Sequence, residues 1–108
     1  MRTDAVLLAI ALAACTPPPM REASRLAADP GAPPEIHAAC RLASQRCTRC
    51  HPIDRVLLAR VENPQHWEYY VARMRRQPRS GITEEDARVI VRCLVARSFG
   101  LAALEGLP

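Results

Sequence analysis

The sequence contains no lysine and few aromatic residues or glycines. All 15 basic residues are arginine, and the 108 residues include only 4 aromatic residues and 4 glycines. No run of five like charges occurs, so the formal net charge of +4 favours acidic partners without indicating a nucleic-acid-binding tract. The longest apolar run has about 10 residues, too few for a membrane-spanning helix. This length allows one small domain.

The first 14 residues are typical of the leader of an exported protein. Arg2 precedes the apolar run, which ends at Ala14 in a Leu-Ala-Ala sequence directly before Cys15. This ending resembles the bacterial lipobox, at which the leader is removed and Cys15 is acylated. We therefore expect a lipid anchor on the periplasmic side of a membrane, and Thr16 in place of Asp favours the outer membrane. The alternative is an ordinary secreted protein cut near Ala14.

Residues 15–34 are expected to form a tether between this anchor and a folded domain. They include six prolines, a composition that favours extended conformers and offers little to a core. The packed region is then residues 35–99, about 65 residues, followed by a C-terminal tail over residues 100–108. A hydrophobic core of that size is marginal, so a disulfide, metal or cofactor is expected to support it.

The run Cys47-Thr48-Arg49-Cys50-His51 carries the chemistry that the sequence indicates most strongly. A C-x-x-C-H sequence places two thiols one helical turn apart, so that both can form thioether bonds to a single haem. The adjacent histidine then supplies the proximal nitrogen to the iron. Export agrees with this interpretation, since c-type haem is attached outside the cytoplasm. The predicted cofactor is one covalently attached haem c.

Three other kinds of site could use the same residues. A thioredoxin-like redox pair requires a βαβ context, and no strand-like segment flanks the motif. A zinc site could be formed by four donors, although neighbouring Cys and His side chains strain a tetrahedral arrangement. These donors are Cys40, Cys47, Cys50 and His51. A disulfide between Cys47 and Cys50 would leave His51 unexplained.

With this motif at its centre, the segment 35–99 resembles a monohaem, class I-like cytochrome c domain. The resemblance implies an all-α fold of three to four helices around the haem, with the first and last helices crossing. It also implies a methionine as the distal ligand. Met74 follows His51 by only 23 residues, so the segment is more similar to compact members than to the longer mitochondrial type.

Local signals place the helices. Apolar residues at spacings of three and four indicate helical character, Asn63-Pro64 and Thr83 provide N-terminal starts, and Gly100 provides a stop. The segments with these signals cover residues 35–46, 53–61, 64–77 and 84–99.

One stripe of the third predicted helix carries two aromatic side chains and a thioether. Trp67, Tyr70, Val71 and Met74 recur at i, i+3, i+4 and i+7. Plain core packing explains such a stripe in a chain without a cofactor. With a haem, we expect Trp67 to contact the haem and the sulfur of Met74 to be the sixth ligand. His66, about 100° off the stripe, is the rival axial ligand.

The resemblance also pairs the two remaining cysteines. The first and last helices of the family cross in contact, which implies a disulfide between Cys40 and Cys93. The alternative is two buried free thiols.

Four arginines follow or end the third helix, at positions 73, 75, 76 and 79. Such a run is usually a solvated face. If a haem is present, one guanidinium is expected to pair with a propionate. The other arginines, together with Arg46 and Arg49 among others, are expected to give a positive surface that attracts an acidic redox partner.

The predicted function is single-electron transfer by a membrane-tethered c-type cytochrome. The partner is expected to be an acidic redox protein or a dehydrogenase or oxidase complex. No triad, paired-carboxylate pocket or glycine-rich phosphate loop occurs in the sequence, and the chain is not predicted to be an enzyme in its own right. The alternatives are a haem protein with an open distal position, which binds ligands or acts on peroxides, and a haem-free disulfide or zinc lipoprotein.

Overall fold

The structure, a computed structural model, describes residues 26–108, and this part of the chain is helical without strands. Its elements are α1 (Pro34–Cys47), α2 (Asp54–Leu57), α3 (Pro64–Arg75), α4 (Glu84–Phe99) and a 3-10 helix (Leu101–Gly106). The all-α prediction is confirmed. The predicted leader over residues 1–14, the lipidated Cys15 and most of the predicted tether lie outside the described residues.

The helix starts follow the local signals. The Asn63 side chain accepts a hydrogen bond from the backbone N–H of His66 at 3.1 Å, with Pro64 at the first helical position of α3. Thr83 and Asp86 form a capping box at the start of α4, in which each side chain accepts the other residue's backbone N–H. At the end of α4, Gly100 adopts a φ of 85°.

Two predicted helices are shorter in the structure than the sequence pattern indicates. The helical spacing over residues 53–61 yields only α2, which has no fully buried side chain; Val56, Leu57, Ala59 and Val61 are partly buried against the core without a continuous helix. Leu58, directly after α2, is 78% exposed. Helix α3 ends at Arg75 and not near Gln77, because the proline at position 78 disfavours helical geometry in the residue before it.

The core is built around α4. Helices α1 and α3 both pack on α4, and they make almost no contact with each other. Trp67 of α3 is buried, and its indole N–H donates to the Ser98 hydroxyl of α4 at 2.9 Å. The buried apolar side chains on the three helices are Ile36, Ala39, Cys40, Ala43, Trp67, Val71, Ile90, Val91, Cys93, Leu94, Val95 and Ala96.

A disulfide joins α1 to α4 inside this core. The Sγ atoms of Cys40 and Cys93 lie 2.05 Å apart and their Cα atoms 5.0 Å apart, and both residues are buried. The pairing implied by the family resemblance is therefore present, and the alternative of two free thiols is wrong. The bond closes a loop with a sequence separation of 53 residues, so it constrains much of the domain.

Both ends of the described chain pack more closely than their composition indicates. Leu26, in the segment expected to be a tether, is 1% exposed and belongs to the core. Arg97 of α4 donates to the Ala27 carbonyl. The expected tail instead forms the 3-10 helix, which packs on α4. A few apolar side chains are enough to hold both segments on the domain, because these side chains pack directly against the core.

No helix within residues 26–108 combines the length and apolar character needed to cross a membrane.

Removing the disulfide should destabilise the domain. The double substitution Cys40→Ala with Cys93→Ala should lower the free energy of unfolding by about 3 to 4 kcal/mol, because the unfolded chain regains the entropy of a long open loop. Denaturant unfolding followed by circular dichroism measures this loss. Refolding under reducing conditions should lower the free energy of unfolding of the wild type and leave that of the double variant unchanged. An equal stability of the two proteins under oxidising conditions would contradict the prediction.

Candidate haem-attachment site

The C-x-x-C-H motif lies at the C-terminal end of α1. Cys47 is the last residue of the helix, and Cys50 and His51 occupy the turn that follows. The Ser44 carbonyl accepts two hydrogen bonds from Thr48 at this helix end, from its hydroxyl at 2.7 Å and from its backbone N–H at 3.3 Å. The motif begins at the end of α1, about two helical turns after Cys40, where the disulfide joins this helix to α4.

The two motif thiols are unbonded. Both are free cysteines, so the alternative of a disulfide between them is not present in the structure. Cys47 is half-buried and Cys50 is exposed. Burial raises the pKa of the Cys47 thiol to about 11, which keeps it protonated at neutral pH. A thioredoxin-like nucleophile requires a lowered thiol pKa. Together with the absence of strands from residues 26–108, this direction disfavours the thioredoxin-like alternative.

The His51 ring is oriented by the backbone of the next residue. Its Nδ1 atom lies 3.0 Å from the Pro52 carbonyl oxygen. Because a carbonyl can only accept, this hydrogen bond requires a proton on Nδ1, and the neutral ring then has its lone pair on Nε2. Metal-binding histidines are commonly held in this way, with the non-ligating nitrogen donating to a carbonyl.

His66 has the opposite tautomer. Its Nδ1 atom accepts the backbone N–H of Glu62 at 3.3 Å, so the proton of the neutral ring lies on Nε2. Its ring also packs edge-on against Tyr70, with the centroids 6.4 Å apart. In this arrangement His66 offers no free lone pair to a metal. The structure therefore disfavours His66 as the rival axial ligand.

The aromatic stripe on α3 divides between the core and the surface. Trp67 and Val71 are buried against α4, whereas Met74, in the last turn, is 38% exposed. Core packing thus accounts for Trp67 and Val71 and leaves the thioether of Met74 accessible. The predicted contacts of Met74 and Trp67 with a haem stay predictions.

The loop between α3 and α4 is tied back to the end of α3. The Ser80 hydroxyl donates to the Arg75 carbonyl at 2.9 Å and accepts the Ile82 backbone N–H at 3.2 Å. Two residues of this loop have left-handed backbones, Arg79 with a φ of 60° and Gly81 with a φ of 67°. Glycine adopts this conformation readily, whereas arginine does so at a cost of about 1 kcal/mol or more.

Two arginines connect the motif with the start of α4. The Arg49 guanidinium lies directly against Gly81, in the space that a Cβ atom there would occupy. The Arg46 Nε atom lies 3.0 Å from the Asp86 Oδ2 atom of the capping box. The sequence identified both arginines only as part of a positive surface. No local signal reveals their partners, which lie more than thirty residues further along the chain.

The Asp86 carboxylate is the shared acceptor of this region. The backbone hydrogen bond from Thr83, followed by the hydrogen bond and charge of Arg46, holds the pKa of Asp86 below its usual value. Its side chain is 15% exposed. Ionised Asp86 therefore joins the capping box of α4 to the end of α1.

The predicted propionate-binding arginines, at positions 73, 75, 76 and 79, are all exposed. Arg75 lies 3.8 Å from Glu84, and it is the one member of this set with an ion pair in the described part of the chain. The set therefore retains free guanidinium groups beside Met74.

The structure leaves the alternative zinc site with three of its four predicted donors, because Cys40 is in a disulfide. Cys40 is bonded to Cys93, and the described residues contain no group of three or more Cys, His, Asp or Glu side chains placed to hold a metal ion. Haem iron has a different requirement, because the protein supplies only axial ligands. The result therefore bears on zinc and not on haem.

Comparison of the chain with protein-family models, with curated proteins and with solved structures gives no match. The resemblance to cytochrome c domains thus depends on the motif and on the order of the predicted helices.

Asp86 should make stability depend on pH. Its folded pKa is lowered, so its contribution is present above the unfolded value of about 3.9 and is lost as the pH falls through the folded value. Asp86→Asn should reduce the melting temperature at pH 7, and the difference from wild type should narrow below about pH 4. Glu105→Gln, which removes the same charge from an exposed position, is the control. A difference that stays constant down to pH 2 would contradict this role.

Proposed function

We propose that residues 35–99 form a small c-type cytochrome domain that transfers single electrons. Cys47 and Cys50 would bind one haem covalently, His51 would be the proximal ligand and Met74 the sixth ligand. The observation that carries the proposal is the C-x-x-C-H sequence at a helix end, with both thiols unbonded and the Nε2 lone pair of His51 free.

The surrounding residues fit this cofactor. Thiols for the thioether bonds must be unoccupied and close to the proximal histidine, and Cys47, Cys50 and His51 meet both conditions. The Met74 side chain is not buried in the core, so its thioether is accessible. His51 follows α1 and Met74 lies in the last turn of α3, and these two helices both pack on α4 with almost no contact between them.

A bound haem supplies an iron that alternates between the ferrous and ferric states. The chain's own residues hold and tune that iron. The Pro52 carbonyl keeps the His51 ring in the tautomer that exposes Nε2, and a soft thioether ligand from Met74 favours the ferrous form. The Cys40–Cys93 disulfide fixes α1, and with it the attachment motif, against α4. With His51 and Met74 both bound to the iron, no coordination site would stay open, so the proposed role is electron transfer and not catalysis.

The partner is proposed to be an acidic redox protein, or a dehydrogenase or oxidase complex with an acidic docking surface. The exposed arginines around Met74 support this choice, since opposite charges steer the encounter of redox partners. The proposed location is the periplasmic side of a membrane, held by a lipid on Cys15. The leader and lipobox pattern support this location.

The full chain, produced in a bacterium that attaches c-type haem, should be coloured and heavier than the polypeptide by one haem. Cys47→Ser with Cys50→Ser should abolish covalent attachment, and Arg41→Gln, an exposed change on the same helix, should have no effect. Mass spectrometry and the visible spectrum measure both results. A colourless wild type with two free motif thiols would overturn the proposed function.

Met74→Ala should remove the sixth ligand. The iron should become high-spin or fall in reduction potential, because the thioether that favours ferrous iron is lost. Visible spectra and potentiometry measure the change, and Met20→Ala in the predicted tether is the matched control. An unchanged spectrum and potential would exclude Met74 as a ligand. Ready binding of carbon monoxide by the wild type would then favour the open-site haem protein.

A further inference from the structure

Arg49 joins the attachment motif to the α3–α4 loop by a contact with Gly81. This arginine stands between the two motif cysteines, and its guanidinium occupies the space beside Gly81 where any other residue would place a Cβ atom. Gly81 also has a left-handed φ of 67°. The left-handed backbone favours glycine at this position, and the missing Cβ atom leaves room for the guanidinium at the end of the exposed Arg49 side chain.

The same loop is bonded to the residues around Met74. The Gln77 backbone N–H donates to the Met74 carbonyl at 3.0 Å, and Ser80 donates to the Arg75 carbonyl at 2.9 Å. Ser80 in turn accepts the Ile82 N–H, so the loop is closed on both sides of Gly81. Gly81 thus lies in a loop that hydrogen bonds join to the end of α3.

Arg46, directly before the motif, makes a second link to this end of the molecule, but it differs from Arg49 in what it contacts. Arg46 holds the motif to Asp86, but Asp86 already belongs to the α4 capping box, which is joined to the core. Arg46 thus attaches the motif to a fixed element. Arg49 alone of the two contacts the loop that leads back to Met74.

We infer that Arg49 is a positioning residue, which fastens the loop after Met74 to the attachment segment and so keeps Met74 on the metal. The inference rests on the proposed function, since Met74 must be a ligand for its second half to hold. Arg49 acts through the loop and touches neither axial ligand in the contacts described.

A double-mutant cycle tests the contact whether or not haem is bound. Gly81→Ala should lower the melting temperature of the full chain more in the wild type than in Arg49→Gln, because the backbone strain is common to both backgrounds and only the wild type must also move the guanidinium away from the new Cβ atom. Equal losses in the two backgrounds would overturn the inference. If Gly81→Ala fails to fold, amide exchange at Ile82 decides instead: it should be faster in Arg49→Gln and unchanged in Arg41→Gln.

The haem-loaded protein tests the consequence for Met74. The pH at which the far-red sulfur-to-iron band disappears should fall in Arg49→Gln, recover partly in Arg49→Lys, and stay unchanged in Arg41→Gln. A loaded wild type that shows this band, with the same midpoint in all variants, would overturn the positioning role while leaving electron transfer intact. A loaded wild type without the band would overturn the link to Met74. A colourless wild type would instead remove the proposed function, and the cycle would still decide whether Arg49 holds the loop.

Discussion

The crossing of α1 and α4, joined by the Cys40–Cys93 disulfide, is the interaction on which the rest of the structure depends. A small domain buries a lower share of its surface on folding than a large one, so packing alone stabilises it only marginally. The covalent link removes much of the entropy that favours the open chain. It also places the end of α1 at a defined position, and the C-x-x-C-H motif begins there at Cys47 and continues through the following turn.

The core and the candidate site divide the helices between them. Helix α4 supplies more buried side chains than any other helix and none of the candidate haem-binding residues, whereas α1 and α3 each bury one face and carry Cys47 and Met74 in their last turns. Ligands at helix ends are free of packing constraints, so their orientation depends on local hydrogen bonds and loops. The Pro52 carbonyl serves this purpose for His51, and the closed α3–α4 loop serves it for the region of Met74.

Much of this arrangement could be predicted from short-range patterns. Asn63 with Pro64 and Thr83 with Asp86 set helix starts through bonds that span three residues, and Gly100 ends α4 for an equally local reason. The over-long prediction for residues 53–61 has the opposite cause. Its apolar spacing was helical, but α2 contributes no buried side chain, and tertiary packing decides how far such a segment continues.

The amino-acid sequence by itself determined the C-x-x-C-H motif, the all-α class and the caps that begin the helices, because each depends on residues a few positions apart. Only the tertiary structure decided that Trp67 is enclosed while Met74 is accessible, that His51 and His66 hold opposite tautomers, and that Arg49 lies on Gly81. Solvent exposure and the contact of distant residues depend on how the helices pack. The tautomers depend on which backbone group each ring faces in the folded loops.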